Sequence, residues 1–328
     1  MEKTRIVTVQ DAVGYNSWPF VQALGKGLVC AYSRGLRHCI TEHCRGAYAR
    51  FSQDGGLHWQ QETVVVNTPD EGESAIGKGL DENGDMLLWV RCIGKDWHHD
   101  LYRTADGAEF VKVASLTPSP MPMQITDVFA VDGVGLVSLW FSGHYRNLPE
   151  NSWGTLVSRD NGRSWTQTTI EEGLLKADWP TEPSCVSLGD GRLFAIARTE
   201  RCGDVPCRQF QLQSEDHGKT WRKLRTNIDD VSESTPSLLK DNAGMLWNYY
   251  YQRGAGLLKR RVVAVDEVWD NPTGWPPPEI VCKASADTCH AGNVNACSYE
   301  GNHLCAFYSG NESQTAVMLA QDAVRDEP

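Results

Sequence analysis

Thr181–Arg198 reads TEPSCVSLGDGRLFAIAR. Val186, Leu188, Leu193 and Ile196 alternate with smaller or polar residues, the pattern of strands packed in a sheet. Gly189-Asp190-Gly191 interrupts the run with the glycines that a tight two-stranded turn requires. The stretch is therefore expected to form a hairpin. A hairpin brings the end of its second strand back beside the start of its first. Glu182 and Arg198 are expected together at one rim of the fold, a carboxylate next to a guanidinium, and they are the first candidates for chemistry.

The same unit recurs. Gly27, Gly84, Gly135, Gly191, Gly244 and Gly301 each precede a second apolar strand, at spacings of 51–57 residues. A fixed period of this length marks a repeat architecture. The units are Ser17–Gly35, Glu73–Arg91, Thr126–Gly143, Thr181–Arg198, Ser234–Arg253 and His290–Gly310. Each is all-β, with turn residues between short apolar runs. The fold class expected is an all-β, six-bladed β-propeller of four-stranded antiparallel blades, one domain over residues 1–328. An N-terminal strand at about residues 4–10 is expected to close the last blade, which would otherwise keep an open edge. Arg325–Pro328 reads as a frayed tail.

SQDGGLHW (Ser52–Trp59), SRDNGRSW (Ser158–Trp165) and SEDHGKTW (Ser214–Trp221) all fit S-x-D-x-G-x-x-W. RTADGAEF (Arg103–Phe110) is a degenerate copy. The logic is that of a hairpin turn: Asp bonds nearby amides, Gly takes a positive φ and Trp packs beneath. These residues are expected to be structural. They are similar to the Asp-boxes, or BNR repeats, of the sialidase (neuraminidase) superfamily, a resemblance that covers nearly the whole chain through its six-fold period. Asp-boxes imply the fold more strongly than the activity, because lectins and lyases carry them too.

The net charge of −11 in 328 residues, with no basic stripe, argues against nucleic acid and anionic membranes as partners. No apolar run approaches the roughly 20 residues that span a bilayer, so no membrane insertion is expected. MEKTRIVTVQ has no signal-peptide core. The expected location is cytoplasmic, or within a phage or extracellular assembly released without a signal peptide. The eleven cysteines are then expected to be reduced thiols, with Cys30, Cys185, Cys297 and Cys305 as small core residues. The RHCITEHC stretch (His38, Cys39, His43, Cys44) matches no standard zinc spacing and reads as loop. No metal and no cofactor are expected.

Superposing the units places Trp18, Glu73, Asp127, Glu182, Thr235 and His290 around one mouth of a central channel. Arg34, Arg91, Arg198 and Tyr308 each fall seven residues after the anchor glycine and should reach the same mouth. Arg253 joins them from the fifth unit, and Arg37 from the loop after the first. Several arginines converging in an acidic protein point to a carboxylate, sulfate or phosphate gripped by guanidinium forks. The competing reading is that they pair with Glu73, Asp127 and Glu182 to close the channel.

The resemblance assigns further roles. Sialidases hold the sialic acid carboxylate with three arginines and use a tyrosine nucleophile, a glutamate that activates it and an aspartate acid/base. Glu182 matches the glutamate, and Arg198 and Arg253 match two of the arginines. The first arginine position holds Ser17, in Asn16-Ser17-Trp18-Pro19. The tyrosine position falls near His290–Gly292, and the aspartate position has only Glu42 nearby. Some bacteriophage endosialidases resemble this reduced pattern. The catalytic candidates are Glu182, His290, Tyr308 and Glu42; the binding candidates are Arg34, Arg37, Arg91, Arg198, Arg253, Trp18, Glu73 and Asp127. The function expected is processing of an acidic glycan containing sialic or uronic acid, by a hydrolase or lyase that is not an ordinary exosialidase. The alternatives are a non-catalytic glycan-binding adhesin of phage or bacteria, and a protein-binding scaffold.

Overall fold

In the computed structural model the described residues are 4–25, 27–143, 150–231 and 233–323; the Arg325–Pro328 tail lies outside them. They form twenty-four strands, one short α-helix (Val265–Trp269) and one 3-10 turn (Lys176–Asp178). After β1 (Arg5–Gln10) come β2 (Tyr15–Leu24), β3 (Gly27–Gly35), β4 (Gly46–Ser52) and β5 (Thr63–Val66). The next group is β6 (Gly72–Leu80), β7 (Met86–Ile93), β8 (Trp97–Thr104) and β9 (Val111–Leu116). It is followed by β10 (Gln124–Val131), β11 (Gly135–Ser142), β12 (Ser152–Ser158) and β13 (Thr166–Glu171). The stretch quoted first supplies β14 (Thr181–Gly189) and β15 (Arg192–Arg198), which β16 (Gln209–Ser214) and β17 (Arg222–Arg225) extend. Then come β18 (Ser237–Lys240), β19 (Met245–Gln252), β20 (Leu257–Ala264) and β21 (Glu279–Lys283), and finally β22 (Ala291–Tyr299), β23 (Asn302–Gly310) and β24 (Thr315–Ala323).

Within each group, successive strands pair antiparallel. The last group has three consecutive strands, and β1 pairs antiparallel with β24 through Arg5↔Gln321 to Gln10↔Val317. Single parallel bridges, Val128↔Gly79 and Tyr15↔Thr315, join neighbouring groups into larger sheets.

Hydrogen bonds between groups run around the molecule. Ser184 Oγ donates to Asp127 and accepts from Leu238 N at 3.0 Å. Ser237 Oγ accepts from Ala296 N, Asn295 Oδ1 from Val21 N, and Ser33 Oγ from Ala75 N. Lys78 N then donates to Asp127 Oδ1, which completes the circuit. Buried amides that have no ladder partner are satisfied in this way. Between adjacent groups lie the apolar layers, such as Phe20, Val29, Leu88 and Val90, or Phe141, Trp153, Leu193 and Phe210.

The three boxes build one geometry. Ser158 Oγ donates to Asp160 Oδ1 and accepts from Gly162 N, while Asp160 Oδ1 takes the amides of Arg163 and Ser164 at 3.1 and 2.8 Å. Ser52/Asp54 and Ser214/Asp216 repeat this pattern. In the degenerate copy Thr104 replaces Ser and makes the same bond to Gly107 N. Trp165 and Trp221 are half-buried and donate back to Gly162 O and Gly218 O.

Cys30, Cys185, Cys297 and Cys305 are buried thiols outside any disulfide. The proline-rich loop before β21 does more than cover the surface, because Trp275 is buried against Phe194. Among the described residues, no helix is long and apolar enough to cross a membrane.

Two registers differ from the sequence expectation; in one, Gly135 pairs with Val131 and opens β11. Gly189 pairs with Arg192, but Leu24 pairs with Gly27, so Gly27 opens its strand instead of sitting in the turn. Counting along the paired strands, Ser33 stands where Arg198 stands, since Ser17↔Ser33 corresponds to Thr181↔Arg198. A one-residue slip sends a side chain to the opposite face. Arg34 accordingly points away from the mouth: its Nη1 lies 2.8 Å from Glu62 Oε2, and its guanidinium sits 4.1 Å from the Tyr48 ring centre.

Candidate functional site

The first strand of several groups breaks register at the same place. Two residues are skipped between Ser17 and Phe20 in β2, Ile125 and Val128 in β10, Thr181 and Ser184 in β14, and Gly292 and Asn295 in β22. These bulges push Trp18, Asp127, Glu182 and Asn293 out of the ladder and into a cavity of about 240 Å³. Trp18, Glu182 and Asn293 adopt left-handed φ values of 52°, 49° and 48°. For non-glycine residues such a conformation costs of order 1 kcal/mol or more and persists only where the surroundings enforce it. Trp18 and Glu182 also precede prolines, whose missing N–H removes a ladder bond and suits a bulge.

Glu182 Oε2 lies 2.8 Å from Arg198 Nε and accepts a 2.6 Å bond from Thr235 Oγ1. Arg198 reaches a second carboxylate behind the wall, with Nη2 3.0 Å from Glu200 Oε1. Thr181 Oγ1 donates to that same oxygen. Burial pushes the Glu200 carboxyl up, and Arg198 opposes the shift. Arg253 is fixed by two carbonyls, Ala291 O and Glu233 O, both at 2.7 Å, and by Asn293 Oδ1 and Tyr308 Oη. Arg91 donates to Met123 O at 2.8 Å. Asp127 faces the cavity from deep in the wall, where loss of hydration raises its carboxyl above the usual range despite nearby Lys78.

An aromatic bank forms one side. His38 stacks on Tyr15 at 5.6 Å and packs against Trp18 and His290. Tyr15 Oη lies 2.9 Å from His290 Nδ1. Arg45, fully buried, places its guanidinium 4.5 Å from the Trp18 ring and hydrogen-bonds Ser17 Oγ at 3.4 Å. A cation therefore stands beside Ser17, although the side chain comes from residue 45.

Repeated four-stranded units, Asp-box turns and bulges aimed at one cavity match a recognised sequence family. Residues 48–278 fit the model of the BNR repeat-like domain. The chain belongs to that family. No curated protein matches it significantly in sequence. In structure, the BNR repeat-like chain is similar to a protein of unknown function from Dyadobacter fermentans (TM-score 0.73, 16% identity, covering 98% of this chain and 99% of that one). It is also similar to a Hadza microbial sialidase (0.72, 12%, 97% and 68%). Trypanosoma rangeli sialidase in complex with the inhibitor DANA aligns at 0.67 and 10% identity, over 98% of this chain and 58% of the sialidase. The chain thus spans little more than half of the trypanosomal protein. At these identities the likeness concerns the fold, which is all-β and sialidase-like.

Of the residues singled out in the sequence, Trp18, Arg91, Asp127, Glu182, Arg198 and Arg253 line the cavity of the BNR repeat-like chain. His290 stands behind His38. Tyr308 is fully buried behind Arg253, donates to Cys289 O at 2.9 Å, and has its phenol pushed up chiefly by burial. Glu42 is buried against Arg45 at 3.2 Å and accepts from Leu36 N, while Arg37 is largely exposed, 3.9 Å from Glu42. Glu73 is buried beneath Thr68 N. Burial pushes the Glu73 carboxyl up. Arg34, Arg37, Glu42, Glu73, His290 and Tyr308 are thus not brought to the cavity surface. Sequence reasoning passed over Arg45 and read His38 as loop, and it also passed over Glu200. The last lies two residues beyond Arg198, on the same side of an extended chain, which was the one signal for it.

Proposed function

We propose that the six strand groups are the blades of a propeller and that its mouth is a site for an acidic glycan carrying a sialic or uronic acid. The observation that carries this reading is the convergence of Arg91, Arg198 and Arg253 with Glu182 on a strained bulge in one cavity. Guanidinium groups held by carbonyls and carboxylates are pre-oriented, so a carboxylate ligand meets them with little loss of side-chain freedom. The aromatic bank of Trp18 and His38 offers an apolar face for a sugar ring.

The chemistry proposed is glycoside cleavage by a hydrolase or lyase route. Glu182, held by Arg198 and Thr235, acts as base or as the partner of developing positive charge. Asp127, kept protonated to a higher pH by burial, donates a proton to the leaving oxygen. The relatives that are named sialidases support the substrate class.

A second reading, a glycan-binding propeller without catalysis, is favoured by one observation: Tyr308, the tyrosine hydrogen-bonded to Arg253, is fully buried. The deciding experiment incubates the protein with sialylated and uronic acid-containing polymers and assays new reducing ends and unsaturated uronates. Cleavage that Glu182→Gln abolishes supports the enzyme. Binding of the same polymers without cleavage supports the lectin, and neither cleavage nor binding removes the acidic glycan reading.

A further inference from the structure

On the face of β7 and β8 turned away from Arg91, three side chains of different chemistry meet. Cys92 pairs directly with His98 across the ladder, and Asp100 follows His98 by two residues, on the same face. Cys92 Sγ, a His98 ring nitrogen and an Asp100 oxygen all lie within 4.8 Å of one another. Among the described residues this is the one such group of three.

Two of the three donors are prepared as ligands would be. His98 Nδ1 donates to Asp96 O at 3.2 Å, which leaves Nε2 as the lone-pair nitrogen, 3.7 Å from Asp100 Oδ1. Asp100 is nearly fully buried, and its Oδ2 is occupied by Lys112 Nζ at 3.0 Å. Its Oδ1 is buried and accepts no hydrogen bond among the described residues. An orphaned carboxylate oxygen in the interior is expensive unless something positive meets it. Cys92 is buried beside it.

We propose that Cys92, His98 and Asp100 form a zinc site that joins the ends of β7 and β8. Thiolate, imidazole and carboxylate together suit a borderline-soft divalent ion, and three protein ligands leave a fourth position for water at the partly exposed His98 edge. A tetrahedral zinc spaces such donors about 3.3–3.7 Å apart, so no pair closes by more than about 1 Å on the ion. Binding breaks the S–H bond of Cys92, forms a Zn–S bond and releases the proton to solvent. Lys112 stays on Oδ2 as the outer partner that orients the carboxylate. The site is independent of any ligand at the mouth.

The test uses the full chain, stripped by chelator under reducing conditions and titrated with Co²⁺ alone, then with Zn²⁺ alone. The expected result is one equivalent of Co²⁺ with a near-ultraviolet thiolate-to-metal band, displaced by Zn²⁺, and a higher Tm with Zn²⁺. Cys92→Ser should lose the band, and Asp100→Asn and His98→Gln should weaken binding by at least about tenfold. Because His98 is partly exposed, His98→Gln should keep the fold even if Cys92→Ser does not. Absence of the band in the wild-type chain overturns the proposal. So does a band that survives Cys92→Ser, or wild-type affinity in His98→Gln.

Discussion

Arg198 bridges two carboxylates: its Nε lies 2.8 Å from Glu182 and its Nη2 3.0 Å from Glu200, with all three side chains buried to within a few per cent. Removing the cation would leave two buried carboxylates without a countercharge. Arg198→Ala should therefore destabilise the fold by about 3–5 kcal/mol. Arg198→Lys keeps the charge but cannot serve both carboxylates with a planar fork, so it should lose less stability and still weaken acidic glycan binding. Thermal unfolding and glycan titration of the two variants give the comparison. If Arg198→Ala unfolds at the wild-type temperature, the bridge is not what holds this wall.

Arg253 and Arg34 should behave oppositely. Arg253 lines the cavity, and a lost charge-assisted contact is worth about 1.5–3 kcal/mol, or roughly tenfold to a hundredfold in affinity. Arg34 faces Glu62 and Tyr48. Arg34→Ala should leave affinity for an acidic oligosaccharide within about twofold, a difference well below the 1.4 kcal/mol of a tenfold change. Isothermal titration of both variants decides the matter, and equal losses would mean that the strand register assigned to β3 is wrong.

The box tryptophans should matter for folding alone. Trp165 is half-buried against Trp89, with ring centres 5.2 Å apart, and donates to Gly162 O. Trp165→Ala should destabilise by about 2 kcal/mol, below the ~3–5 kcal/mol of a fully buried tryptophan. Urea unfolding measures the loss, and glycan affinity should not move.

Two buried histidines should set the acid limb of stability. Burial holds His99 down to about 3 and His303 down to about 4. Both are neutral in the fold and charge more readily when unfolded. Their contribution is fully present above the unfolded value of about 6.5 and falls as pH drops toward the folded values. Each should add a slope of about 1.4 kcal/mol per pH unit below pH 6. His99→Leu, followed by urea midpoints from about pH 7 to 4, should remove one such slope; an unchanged slope would show that His99 is not the group that titrates.

Much of the architecture was legible in the sequence because it is local and repeated. Glycines recurring every 51–57 residues at or just after the hairpin turns, and three Ser-x-Asp-x-Gly-x-x-Trp boxes, specify hairpins through backbone conformation and short-range hydrogen bonds. Glu182 and Arg198 could be placed together for the same reason, since one hairpin holds both. What depended on tertiary packing could not be read in this way. The turn between β2 and β3 shifts the register by one residue relative to the hairpin of β14 and β15, and that alone turns Arg34 to the other face. Arg45 reaches Ser17 from 28 positions away, and His38 meets His290 from the far end of the chain. Tyr308 has the right chemistry and strand position, yet Arg253 lies between it and the cavity. Strand period and turn chemistry are short-range properties that a sequence carries in itself, whereas which polar side chains share a buried wall is decided only when distant strands close on one another.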